Sequence, residues 1–99
     1  MDHSLQIIAP GPRPPYFQVA EHLWGIGCNI DSDGDSVTPE DRQWTELTVC
    51  LRSNPGQRVD IDPISNDPLI LVVRSSDQSL CRQTAEFIAS ASGGEVQRA

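Results

Sequence analysis

Lysine is missing from this chain of 99 residues, whose seven cationic side chains are all arginine. We attribute the bias more to a GC-rich genome than to a need for planar, permanently charged groups. No basic patch is present to neutralise phosphates, and a net charge of −7 repels nucleic acid and anionic membrane surfaces alike. A basic protein is the favoured partner. Apolar runs approaching the roughly 18 residues of a membrane span are absent, and Met1-Asp-His-Ser lacks a positive leader region. The expected compartment is the cytoplasm. Cys28, Cys50 and Cys81 stand far apart without a CxxC pair, which suits neither a disulfide framework nor a zinc site. They are expected as reduced, packed thiols. With 37% apolar residues and few aromatics, residues 1–99 suffice for one small domain with a modest core.

Catalytic signatures are equally sparse. No serine lies in a nucleophile elbow, no glycine-rich loop is shaped for phosphate, and no pair of acids is framed by apolar residues in the way that raises a catalytic pKa. His22 and Cys28 are six residues apart, which on a helix places them on opposite sides. The expectation is a protein that is not an enzyme and uses no cofactor.

Acid is abundant, and it is local. Nine of the fourteen acidic residues fall within residues 31–67 against three arginines (Arg42, Arg52, Arg58), leaving that third of the chain at −6. Residues 1–30 carry −1, and residues 68–99 are neutral. The densest run is Asp31-Ser-Asp33-Gly-Asp35. Read from Asn29, it places oxygen-bearing side chains at loop positions 1, 3, 5 and 12 (Asn29, Asp31, Asp33, Glu40), with Gly34 at position 6. That is the spacing of an EF-hand calcium loop. Ser36 at position 8, Pro39 beside Glu40, and the glycines before Asn29 weaken the match. The acidic stretch also continues past any metal loop, to Asp60 and Asp62.

Apolar periodicity supplies the elements. Residues 5–9 read as a strand, closed by the Pro-rich connector of residues 10–15. Phe17, Ala20, Leu23, Trp24 and Gly27 recur at helical steps, which predicts a helix from Tyr16 to about Cys28, ended by Gly25 and Gly27. Residues 29–41 read as an acidic loop, with Thr38-Pro-Glu-Asp41 resembling a helix start of one or two turns. From Trp44 to Leu51, Trp44 and Glu46 alternate with Thr45, Leu47, Val49 and Leu51, as in a half-buried antiparallel strand. Asn54-Pro-Gly-Gln57 turns into a second strand, in which Asp60 and Asp62 share the outward face. After a turn at Asn66-Asp-Pro68, residues 69–73 (Leu-Ile-Leu-Val-Val) predict a central strand covered on both faces. Ser75-Ser-Asp-Gln starts a helix to Ser92, stopped by Gly93-Gly94, and residues 95–97 could add an edge strand. The fold class is α+β: an antiparallel sheet of four to five strands with two helices on one face.

The C-terminal half resembles small immunity proteins of bacterial toxin systems, including those beside Rhs-type and type VI secretion effectors. The residues concerned are Trp44-Thr-Glu-Leu-Thr, Ile61-Asp-Pro63, the strand from Leu69 to Ser75, and Thr84-Ala-Glu-Phe-Ile-Ala89 with Gly93-Gly94. The resemblance implies a small, acidic, cytoplasmic inhibitor that occludes the active site or an essential surface of a cognate toxin. Charge suggests where such a toxin would bind. Asp31, Asp33, Asp35, Glu40 and Asp41 would meet its basic surface, Asp60 and Asp62 would extend the patch, and Trp44 would be the apolar anchor. Two other functions fit the same composition: a calcium module using residues 29–40, or an acidic adaptor, chaperone or phage-encoded nucleic-acid mimic. Oligomeric state is left open.

Overall fold

A computed structural model describes residues 2–99. In chain order the elements are β1 (His3–Ile8), α1 (Tyr16–Trp24), β2 (Ile30–Gly34), β3 (Leu47–Leu51), β4 (Arg58–Asn66), β5 (Leu69–Ser75), α2 (Gln78–Ser92) and β6 (Glu95–Arg98). The strands form one antiparallel sheet in the order β2-β3-β4-β5-β1-β6. The architecture is α+β as expected, with six strands rather than four to five. The additional strand is β2, in which the acidic run expected as a loop is extended and paired with β3 from Ile30↔Leu51 to Gly34↔Leu47. Thr38-Pro-Glu-Asp41 forms a turn, not a helix.

Strand alternation sorts the side chains. Ile7, Leu47, Val49, Val59, Ile61, Leu71 and Val73 join one buried cluster with Val19 of α1 and Leu80, Cys81, Ala85 and Ile88 of α2. Both helices therefore cover the same face of the sheet. Truncating one of these side chains, such as Ile61→Ala, costs about 2–5 kcal/mol through lost burial and a residual cavity. The other face is open. Central strand β5 is accordingly covered by helices on one side only: Ile70 is half-buried on the open face, and Val72 is buried between its register neighbours Asp62 and Gln6.

Helix boundaries follow local chemistry. Asp77 caps α2 by accepting from the Leu80 N–H at 3.1 Å, and Gly93 ends it in the left-handed region (φ 78°), donating to the Ala89 carbonyl. Helix α1 stops at Trp24, four residues before the expected end. At Gly25 φ is 96°, so the chain leaves the helix as soon as a residue without a Cβ permits it. The helices meet through the His22 ring stacked on Phe87, with centroids 4.2 Å apart.

The Pro-rich segment is a clasp as well as a connector. Arg13 donates from Nε to the Trp44 carbonyl at 2.8 Å and from its N–H to the Arg42 carbonyl at 2.8 Å. In return, Arg42 Nε reaches the Arg13 carbonyl at 3.1 Å, and Trp44 Nε1 donates to Pro14 at 2.8 Å. Proline supplies no N–H but keeps its carbonyl, so residues 13–15 can still receive bonds. Arg13 is only 5% exposed. Burial lowers its pKa below the ordinary arginine value, and nearby Asp35 and Asp41 act against that shift.

Candidate functional site: the open sheet face and the acidic corner

On the open face Asp31 and Asp33 of β2 share a side with Thr48 and Cys50 of β3 and with Arg58, Asp60 and Asp62 of β4. Register aligns Asp33 with Thr48, Thr48 with Asp60, and Asp60 with Arg74 of β5. Asp60 and Asp62 thus share a face with the β2 acids, but most of the charge on that face is already matched. Arg52 Nε lies 2.9 Å from Asp31, Arg58 3.0 Å from Asp60, and Arg74 3.2 Å from Asp62. Burial works against the Asp60 charge, yet the hydrogen bonds from Arg58 and from the Thr48 hydroxyl (2.7 Å) outweigh it and hold its pKa below the usual range. Exposed pairs of this kind add little stability, but they offset the field that a cationic partner would feel.

Unmatched charge collects at one corner instead. Asp35 accepts from the Thr45 N–H (2.8 Å), the Thr45 hydroxyl (2.8 Å) and the Glu46 N–H (3.0 Å). Desolvation raises its pKa, but these bonds outweigh that effect and lower it. Asp41 accepts from the Val37 N–H at 2.9 Å and the Gln43 N–H at 2.7 Å, and those bonds keep its pKa low as well. Because the donors are neutral, both carboxylates keep their full charge. Asp33 bonds only to the neighbouring Gly34 N–H, at 2.9 Å. Glu40 and Glu46 are exposed, with no side-chain bond among the described residues. Five carboxylates thus surround residues 33–46, against Arg42 and the buried Arg13.

At the tip of the same loop stands Val37, 89% exposed. The sequence carried one hint of it, a lone aliphatic residue in a run of acids and turn formers. Trp44, by contrast, was expected as the exposed apolar centre. Trp44 is 1% exposed, packed in the core with its indole N–H bound to Pro14, and does not serve as a docking anchor. The correction has a simple cause: in a chain with few aromatics, the largest ring is more valuable inside. Beside the tip, a depression of about 210 Å³ is lined by Tyr16, Ser32, Asp33, Gly34, Ser36 and Leu47. The Ser36 hydroxyl there is buried and has no hydrogen-bond partner among the described residues.

Calcium spacing does not become calcium geometry. Asn29, Asp31 and Asp33 are laid out along an extended segment paired to β3, and Glu40 lies in the turn beyond, so their oxygens do not wrap a common centre. Among the described residues, no group of three or more His, Cys, Asp or Glu side chains converges on a point. No helix among them is long and apolar enough to cross a membrane. Neither a family model, nor a curated protein, nor a solved structure matches the chain.

Proposed function

We propose that this chain is a non-catalytic binding protein that engages a basic protein surface through its acidic corner, and that it serves as the immunity partner of a bacterial toxin. One observation carries this: an exposed apolar tip, Val37, sits among carboxylates on a loop whose backbone is pinned by Asp35 and Asp41. An apolar centre with a charged rim is the usual anatomy of a specific interface, and a loop held before binding loses little entropy on binding. The depression next to Val37 suits an arginine or lysine side chain, which would meet Asp33 and the unpartnered Ser36 hydroxyl.

The eight residues expected at the contact divide under this proposal. Asp33 and Glu40 contact the partner, Asp35 and Asp41 hold the loop and contribute field, and Asp31, Asp60 and Asp62 form a compensated flank. Trp44 supports the corner from inside the core. Co-expression with the product of the neighbouring gene tests the function. The pair should co-purify, the neighbour alone should arrest growth, and the pair should not. Val37→Glu and Glu40→Arg, both at exposed positions, should each weaken capture at least tenfold without moving the unfolding midpoint. A harmless neighbour, or capture indifferent to both substitutions, removes the proposal.

A further inference from the structure

The far edge of the sheet differs from the corner in every respect that matters for association. Ala9 donates to the Leu69 carbonyl at 2.8 Å, and since backbone groups alternate sides along a strand, Leu5 and Ile7 bond to β5 while Gln6 and Ile8 turn toward β6. Their register partners Gln97 and Glu95 therefore spend their backbone groups on β1. Val96 and Arg98 direct theirs outward. Among the described residues no side chain covers those outward groups. Beneath this edge runs a groove of about 570 Å³ whose lining includes Leu5, Cys81, Arg82, Glu86, Val96 and Arg98. Half-buried Val96 and Leu5 give it an apolar floor, and Arg82 and Glu86 stand on its α2 wall.

We propose that β6 is the contact between two copies of this chain, joined antiparallel about a two-fold axis at Val96 into a continuous twelve-stranded sheet. Three features select a second copy as the occupant. The edge lies in the neutral third of the chain, so two molecules of net charge −7 can approach there with the least repulsion. With Val96 opposite its own copy, the outward N–H and carbonyl of each Val96 exchange bonds, and each Arg98 N–H faces the Gly94 carbonyl of the other chain. The two grooves then merge, and α2 runs antiparallel to its copy, so that Arg82 of each faces the Glu86 end of the other. Such self-complementarity is what a two-fold interface requires.

The register also makes a signed prediction, because it sets Glu95 opposite Gln97 of the second copy on the open face. Sedimentation equilibrium of the full chain across the micromolar range should show a monomer–dimer equilibrium. Arg98→Pro removes an outward-facing N–H together with the guanidinium at the groove and should weaken the dimer at least tenfold. Gln97→Glu adds two like-charge pairs and should weaken it roughly two- to thirty-fold, while Gln97→Arg adds two opposite-charge pairs and should tighten it by a similar factor. Circular dichroism checks that Arg98→Pro folds, and the two Gln97 substitutions decide the matter even if it does not. A monomer at every concentration overturns the proposal. So does a dimer that responds to neither residue, or that shifts the same way for Gln97→Glu and Gln97→Arg.

Discussion

Strands β2 and β6 both end the sheet with a row of backbone groups turned away from their neighbours, but side chains cap two of those groups in β2 and none in β6 among the described residues. In β2 the outward Ile30 carbonyl accepts from Arg52 Nε at 3.2 Å, and the outward Gly34 N–H is taken by Asp33. The outward N–H and carbonyl of Ser32, between these two, have no side-chain partner among the described residues. In β6 the side chains are balanced, Glu95 against Arg98, and no side chain among the described residues bonds the outward backbone. Natural sheets blunt edges to prevent unwanted pairing. Under the two proposals made above, a molecule that caps part of one edge and leaves the other open would keep two kinds of contact apart, a charged loop beside the first and a backbone ladder along the second.

The sharpest way to break this contrast is at Gly34. A Cβ there would run into the Glu46 carbonyl, a backbone atom that cannot move aside, so Gly34→Ala should cost about 3 kcal/mol or more and detach β2. Urea denaturation would show the loss, and an unchanged midpoint would mean that β2 is not tightly paired. Next in size is Asp35→Ala, which leaves the Thr45 and Glu46 N–H groups without their acceptor and should lower stability by about 1–2 kcal/mol.

Acid should act in the same direction. Asp35, Asp41, Asp60 and Asp77 all have pKa values below the ordinary carboxylate range when folded. Their contribution is fully present above the unfolded value of about 3.9 and is lost as pH falls through the lower folded values. The urea midpoint should therefore hold from neutrality to about pH 5 and fall below about pH 4. A rise in that range would show that relief of the −7 self-repulsion dominates instead.

Smaller in stability but direct in consequence is the double substitution Arg52→Ala with Asp33→Ala. It uncovers both capped groups of β2 and should move the unfolding free energy by less than about 1 kcal/mol, since the groups concerned are exposed. Two open edges per molecule should nevertheless produce assemblies longer than a dimer, visible by sedimentation. The smallest expected effect is that of salt, which has opposite signs at the two ends. Added salt should tighten the β6 contact by screening like net charges, and should slow association at the acidic corner.

Much of this fold was legible in the sequence because it rests on short-range patterns. The alternation of Leu47, Val49, Val59 and Ile61 marked two strands, and Asp77 with Gly93 marked both ends of α2. Strand β2 was hidden because Ile30-Asp-Ser-Asp-Gly has no apolar alternation, and only its pairing with β3 makes it extended. The open face of β5 was not legible either, because a run of five apolar residues looks the same whether helices cover one side or two, and Val72 is shielded by neighbours in the sheet rather than by a second layer. At the site, the charge was in view but its neutralisation was not. Arg74 reaches Asp62 from twelve residues away, and the Arg13 clasp that draws Trp44 inward spans thirty-one.

The position of β1 has a consequence in time. It is the first strand of the chain, yet it lies between β5 and β6, paired at Leu5 with both Val73 and Arg98. The hairpins from β2 to β5 can form from near neighbours, whereas β1 must wait for residues some seventy positions downstream, and β6 must wait for β1. Closing such distant contacts late is slow. The edge offered to a second copy is consequently the last part of the sheet to come into being, so only molecules that have finished folding can present it.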